Sequence, residues 1–180
     1  MGTSWSAAMV GTGTLGDPDA VAARIQAALD AVVAEMSTFD PGSALSRFNS
    51  AGAGEWVPLP PGLHEVVRYA LQVAVASGGA YDPTVGPLVN LWGFGPGPRR
   101  DRAPDEAAIA AARARVGWRR LRLASNPPAL LQPGGLYLDL SAVAKGFGVD
   151  QAAAVLEDAG IENYLVEVGG ELRGQGVKPD

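Results

Sequence analysis

Residues 136–140 alternate leucine with Tyr137 and Asp139, and this alternation runs directly into a small-residue segment carrying Lys145. Leucines at every second position predict a strand with one buried face, and the alanine- and glycine-rich stretch after it predicts a helix opening at Ser141 as N-cap. Such a junction constrains the chain strongly. A strand feeding a helix start exposes unpaired N–H groups, and a cation one turn along favours an anion there. Lys145 is one of two lysines in the chain, the other being Lys178. Its alanine and glycine neighbours speak against a salt-bridged surface position. Two readings fit the junction: a phosphate site, or a helix start with a snorkelled lysine.

Around that junction the pattern is mixed. Asp17-Pro18 opens a helix over 18–36, with Ile25, Leu29, Val32 or Val33, and Met36 on one face. A second long helix over 62–77 carries Leu63, Val67, Ala70 and Ala74 and closes on Gly78-Gly79. A short helical turn holds Leu45 and Phe48, and residues 104–115 and 142–159 read as further helices. Strands are expected within residues 1–10, followed by a Gly-Thr-Gly-Thr turn, and at 119–123, 129–131, 136–140 and 164–168. Residues 51–61 and 80–98 read as loops, the second too broken by glycine and proline for a long helix yet carrying Tyr81, Trp92 and Phe94. Helices and strands mix without a βαβ rhythm, which predicts an α+β domain over 1–180.

Composition excludes several classes. The chain has no cysteine, so disulfides, thiolate metal sites and a cysteine nucleophile are out. Its one histidine, His64, reads as a surface helix position beside Glu65 and Arg68 and cannot build a histidine metal site alone. A net charge of −5 argues against general nucleic-acid affinity, and the arginines at 99, 100, 102, 119, 120 and 122 form only local groups. No apolar run reaches the roughly 20 residues of a membrane span, and no leader peptide is visible at the start. Paired acids (Asp139 with Asp150, Glu167 with Glu171) are weak signals by themselves, and the second pair reads as a strand end facing water. Loop aromatics (Phe39, Tyr81, Trp92, Phe94), loop hydroxyls (Thr3, Ser37, Thr38, Ser43, Thr84) and the Lys145 junction together suit a nucleotide-like ligand.

Five blocks, in order, carry a resemblance: the initial MGT, MSTFDPGSALSRFN at 36–49, GAYDPTVGPLVNLWGFG at 79–95, LDLSAVAKG at 138–146 and YLVEVGGE at 164–171. They resemble the blocks of the FAD:protein FMN transferases, the ApbE flavin-transferase family, and span nearly the whole chain. The resemblance implies a T-fold-like flavin transferase domain that continues beyond residue 180, so the chain is expected to be its N-terminal portion. The implied activity is magnesium-dependent transfer of FMN from FAD to a threonine or serine hydroxyl of a target flavoprotein, with release of AMP. A non-catalytic FAD-binding module, or an FAD pyrophosphatase giving FMN and AMP, is the alternative.

The resemblance also assigns positions. Met1, Phe39, Ala80, Tyr81 and Asp82 match flavin-contacting positions, with Phe39 standing where many relatives have tyrosine. Asp139 and Lys145 match FAD-binding positions, and Ala142 matches a magnesium ligand that could only be its backbone carbonyl. Trp92 and Glu171 are weaker matches, and the tryptophan could equally plug the core. No catalytic side chain is expected in the chain: the nucleophile belongs to the target, while a histidine-bearing segment, the base and the remaining Asp and Thr magnesium ligands fall beyond residue 180. The implied location is the periplasmic face of the cytoplasmic membrane.

Overall fold

The structure, a computed structural model, describes residues 2–10 and 17–177. Met1, the Gly-Thr-Gly-Thr turn and Lys178 lie outside them. The chain divides into two compact units, one of residues 1–33 and 141–180, the other of residues 34–140.

In the first unit, β1 (Trp5–Val10) and β5 (Asn163–Val168) pair antiparallel, and β6 (Glu171–Gln175) adds to β5 in the same sense. Both Gly169 and Gly170 have positive φ (59° and 94°), the geometry a two-residue hairpin needs at its centre. The inward residues Tyr164, Val166 and Val168 pack with Val21, Ile25 and Leu29 of α1 (Pro18–Met36) and with Val149, Ala152, Ala153 and Leu156 of α6 (Ser141–Asp158). Small residues on α6 let this layer close tightly, and each fully buried leucine contributes about 1.5–3 kcal/mol. Helix α1 starts as expected: Asp17 Oδ1 accepts the Asp19 N–H at 3.0 Å. Ser141 is the first residue of α6, one position further into the helix than a cap would stand. Strand β6 was not expected, since its sequence offers a single exposed leucine, Leu172, and no apolar alternation.

The second unit holds α2 (Ala44–Ser50), α3 (Pro61–Ala76), α4 (Gly86–Leu91) and α5 (Glu106–Arg113) with an antiparallel sheet of order β2-β4-β3. Its strands are β2 (Glu55–Pro58), β3 (Arg122–Ser125) and β4 (Pro128–Gln132). Phe48, Leu45, Leu63, Val67 and Leu130 are fully buried. Helix α3 lacks a side-chain cap from its own N-cap, Pro60, and Glu35 takes that place by accepting the Leu63 N–H at 2.6 Å. Two expectations are corrected here. A strand, β2, lies inside the expected loop 51–61, and a short helix, α4, lies inside the expected loop 80–98. Gly86 opens α4 because the Tyr137 ring and carbonyl occupy the space a side chain would fill.

The expected strand at 136–140 is not one. Its burial alternates as the leucines require, with Leu136, Leu138 and Leu140 buried. The backbone, however, pairs with side chains and a loop rather than a ladder. Asn49 Oδ1 accepts the Leu138 N–H at 2.8 Å and its Nδ2 donates to the Leu138 carbonyl at 3.0 Å. Buried Gln132 donates to the carbonyls of Phe48 (3.1 Å) and Leu136 (3.2 Å). Buried backbone groups must find partners, and here two amides supply them. The expected strand at 119–123 is also displaced: residues 118–120 form a 3-10 turn before β3.

Candidate functional site

In the second unit, residues 80–85 and 139 converge. Asp139 donates its N–H to the Pro83 carbonyl at 2.9 Å. The Asp82 carboxylate accepts the Thr84 N–H (2.8 Å) and hydroxyl (2.6 Å) on Oδ1, and the Trp118 N–H (3.3 Å) on Oδ2. The neighbouring Tyr81 is half-buried, and its hydroxyl is buried without a hydrogen-bond partner among the described residues. Burial first, then the charges of Asp139 and Asp82, push the Tyr81 phenol up to about 12. It is therefore a neutral donor across the physiological range. A buried polar group left unpaired costs about 1–3 kcal/mol, so this donor favours an acceptor. Ala80 is exposed beside it.

Phe39 stands on the loop before α2. Ser37 Oγ accepts the N–H groups of Phe39 (3.1 Å) and Asp40 (3.3 Å), and Ser43 donates to the Ser37 carbonyl at 2.6 Å while capping α2 through the Ser46 N–H at 2.9 Å. The loop is thus fixed while the ring is 65% exposed, an arrangement suited to stacking. Trp92, at the end of α4, is 43% exposed and does not plug the core. His64 departs from the surface expectation: it is half-buried, and its Nε2 donates to the Ala124 carbonyl at 3.1 Å.

In the first unit, Ala142 and Lys145 sit three residues apart near the start of α6, which puts them on one face. Lys145 is salt-bridged, contrary to the sequence expectation: its Nζ lies 2.8 Å from Glu171 Oε1 and 3.5 Å from the Gly169 carbonyl. The lysine therefore reaches from the helix start to the β5–β6 hairpin. Glu171 faces this partner rather than water alone, and Glu167 accepts the Gly170 N–H at 3.0 Å. Asp150 pairs with Arg173 at 2.9 Å.

The expected magnesium ligand, the Ala142 carbonyl, belongs to the second residue of α6, and its oxygen carries two lone pairs, of which an intrahelical bond uses one. Among the described residues no three His, Cys, Asp or Glu side chains gather. Magnesium demands near-octahedral oxygen coordination. The described residues alone do not make up such a site. Met1, the remaining position expected to contact flavin, lies outside the described residues.

Comparison with known proteins fits this picture. The ApbE family model matches residues 1–180. FAD:protein FMN transferase from Vibrio cholerae is 40% identical over 180 residues, covering 100% of this chain and 54% of that protein. The Klebsiella pneumoniae protein of the same name is 40% identical, with 98% and 51% covered. The solved structure of flavin transferase ApbE from Vibrio cholerae superposes with a TM-score of 0.94 at 40% identity, covering 99% of this chain and 57% of that one. The α+β arrangement is that of the flavin transferase ApbE structures. The chain belongs to the ApbE family. It spans about half the length of the curated relatives it matches.

Proposed function

We propose that this chain serves FAD:protein FMN transfer. The observation that carries the reading is the family match over residues 1–180, joined to the convergence of Tyr81, Asp82 and Asp139 in one unit. In this reading FAD is the substrate. A threonine or serine hydroxyl of a target flavoprotein attacks the FMN-side phosphorus, a new phosphoester forms, and the pyrophosphate bond breaks. AMP leaves with the bridging oxygen, and the hydroxyl proton passes to a base. Magnesium, when bound, would neutralise the pyrophosphate charge.

The residues support this division of labour. The chain has no cysteine, and its one histidine is engaged with a backbone carbonyl, which suits a reaction whose nucleophile comes from the partner. Phosphoryl transfer depends mostly on positioning and charge stabilisation. Phe39 offers a ring for stacking, Tyr81 a neutral donor, and Lys145 a cation for phosphate. In this reading the reaction takes place on the periplasmic face of the cytoplasmic membrane; no helix among the described residues is long and apolar enough to cross a membrane.

The test is AMP release from FAD and magnesium, measured with and without a threonine-bearing target. Release that requires the target supports transfer. Equal release without it indicates pyrophosphatase action, and FAD binding with no AMP indicates a binding module.

A further inference from the structure

We propose that Thr84 is a positioning residue of the flavin site: its hydroxyl and the Asp82 carboxylate form a buried clamp that sets the 80–85 loop, and with it Tyr81 and Asp139. The proposal rests on the flavin-transferase reading and assigns the clamp to that same site.

Thr84 is fully buried, so its hydroxyl must find its partners inside the protein. It donates to Asp82 Oδ1 at 2.6 Å and accepts the Gly117 N–H at 2.7 Å. Asp82 in turn holds the Thr84 and Trp118 N–H groups. The 80–85 loop is thereby fastened at two points, to the Gly117 and Trp118 N–H groups, and braced within itself by the two Thr84–Asp82 bonds. Both carboxylate oxygens of Asp82 take donors from within the protein, so this side chain acts on a ligand through the loop. Between the two clamp residues stands Pro83, whose ring fixes its φ and whose carbonyl receives the Asp139 N–H at 2.9 Å. Tyr81, on the other side of Asp82, has its own N–H held by Ser77 Oγ at 3.1 Å. The clamp is thus the shared support of the phenol and of the Asp139 backbone.

Valine matches threonine in shape but can neither donate nor accept, whereas serine can do both. The experiment compares wild type, Thr84→Val, Thr84→Ser and Asp82→Asn by FAD titration and by hydrogen–deuterium exchange of the segment containing Asp139. Urea unfolding of each variant verifies that it is folded. Thr84→Val is expected to lose about tenfold in FAD affinity and to exchange faster at Asp139. Thr84→Ser should restore both. Asp82→Asn should resemble Thr84→Val, and the double variant should cost no more than the worse single one.

Wild-type affinity and exchange in Thr84→Val would overturn the clamp, as would additive losses in the double variant. Should Thr84→Val not fold, Asp82→Asn against Thr84→Ser decides the matter on the same two readouts. A wild-type protein that takes up no FAD would instead defeat the functional reading, and exchange at Asp139 would then uphold or overturn the clamp by itself.

Discussion

Lys145 of α6 and Glu171 of β6 meet at 2.8 Å, joining a helix start to a hairpin across a long stretch of sequence. Both side chains are almost half exposed, so the pair adds at most about 1 kcal/mol to stability. Its consequence is for ligand binding: a carboxylate occupies the cation that a phosphate would use. Lys145→Ala should weaken FAD binding by roughly 1.5–3 kcal/mol through loss of a charge-assisted hydrogen bond. Glu171→Gln should tighten it, most visibly at low salt. Titration of both variants by flavin fluorescence checks this; unchanged affinity in Lys145→Ala would make the lysine a support of the hairpin only.

Tyr81 predicts an alkaline signature. Its phenol titrates at about 12 in the folded protein against 10 when unfolded. Above pH 10 the unfolded chain loses this proton first, so the contribution of Tyr81 is complete below pH 10 and declines as pH rises toward 12. Urea midpoints should fall between these values in wild type more than in Tyr81→Phe. Parallel curves for the two proteins would show that the phenol is not held in the environment described.

Asn49 holds residues 136–140 extended through both hydrogen bonds to Leu138. Asn49→Ala leaves a buried N–H and carbonyl without those partners, at about 1–3 kcal/mol for each group. The expected destabilisation is about 2–4 kcal/mol in urea unfolding. A loss below 1 kcal/mol would mean that other groups fix this segment.

Ser43 both caps α2 and anchors the Ser37 carbonyl. Ser43→Ala should cost about 1–2 kcal/mol and loosen the loop that presents Phe39, weakening FAD binding as well. Thermal unfolding and FAD titration of the variant test both effects; stability lost with affinity intact would separate Phe39 from the ligand.

Much of this was legible in the residues. Asp17-Pro18 and Gly78-Gly79 mark the ends of α1 and α3, because capping and positive φ leave local signatures. The leucine alternation at 136–140 correctly foretold which side chains are buried but not how the backbone is paired. Burial follows side-chain period, whereas a ladder needs a neighbouring strand, and here Asn49 and Gln132 take its place. Strands β2 and β6 escaped notice since each is short: only Val57 is buried in β2, and Leu172 of β6 faces solvent. The family blocks pointed to Tyr81, Asp82 and Asp139, which the fold joins. The Lys145–Glu171 bridge could not be read, because nothing local links a helix residue to a distant hairpin. Thr84 stood among the loop hydroxyls; the signal for its role was a threonine two residues after an aspartate, the spacing at which side chain and backbone close on each other.

The most direct measurement is mass analysis of a threonine-bearing target after incubation with this protein, FAD and magnesium. The account predicts one FMN joined by a phosphoester to a threonine or serine of the target, with an equal amount of AMP in solution. A target left unmodified while the protein holds FAD would contradict it.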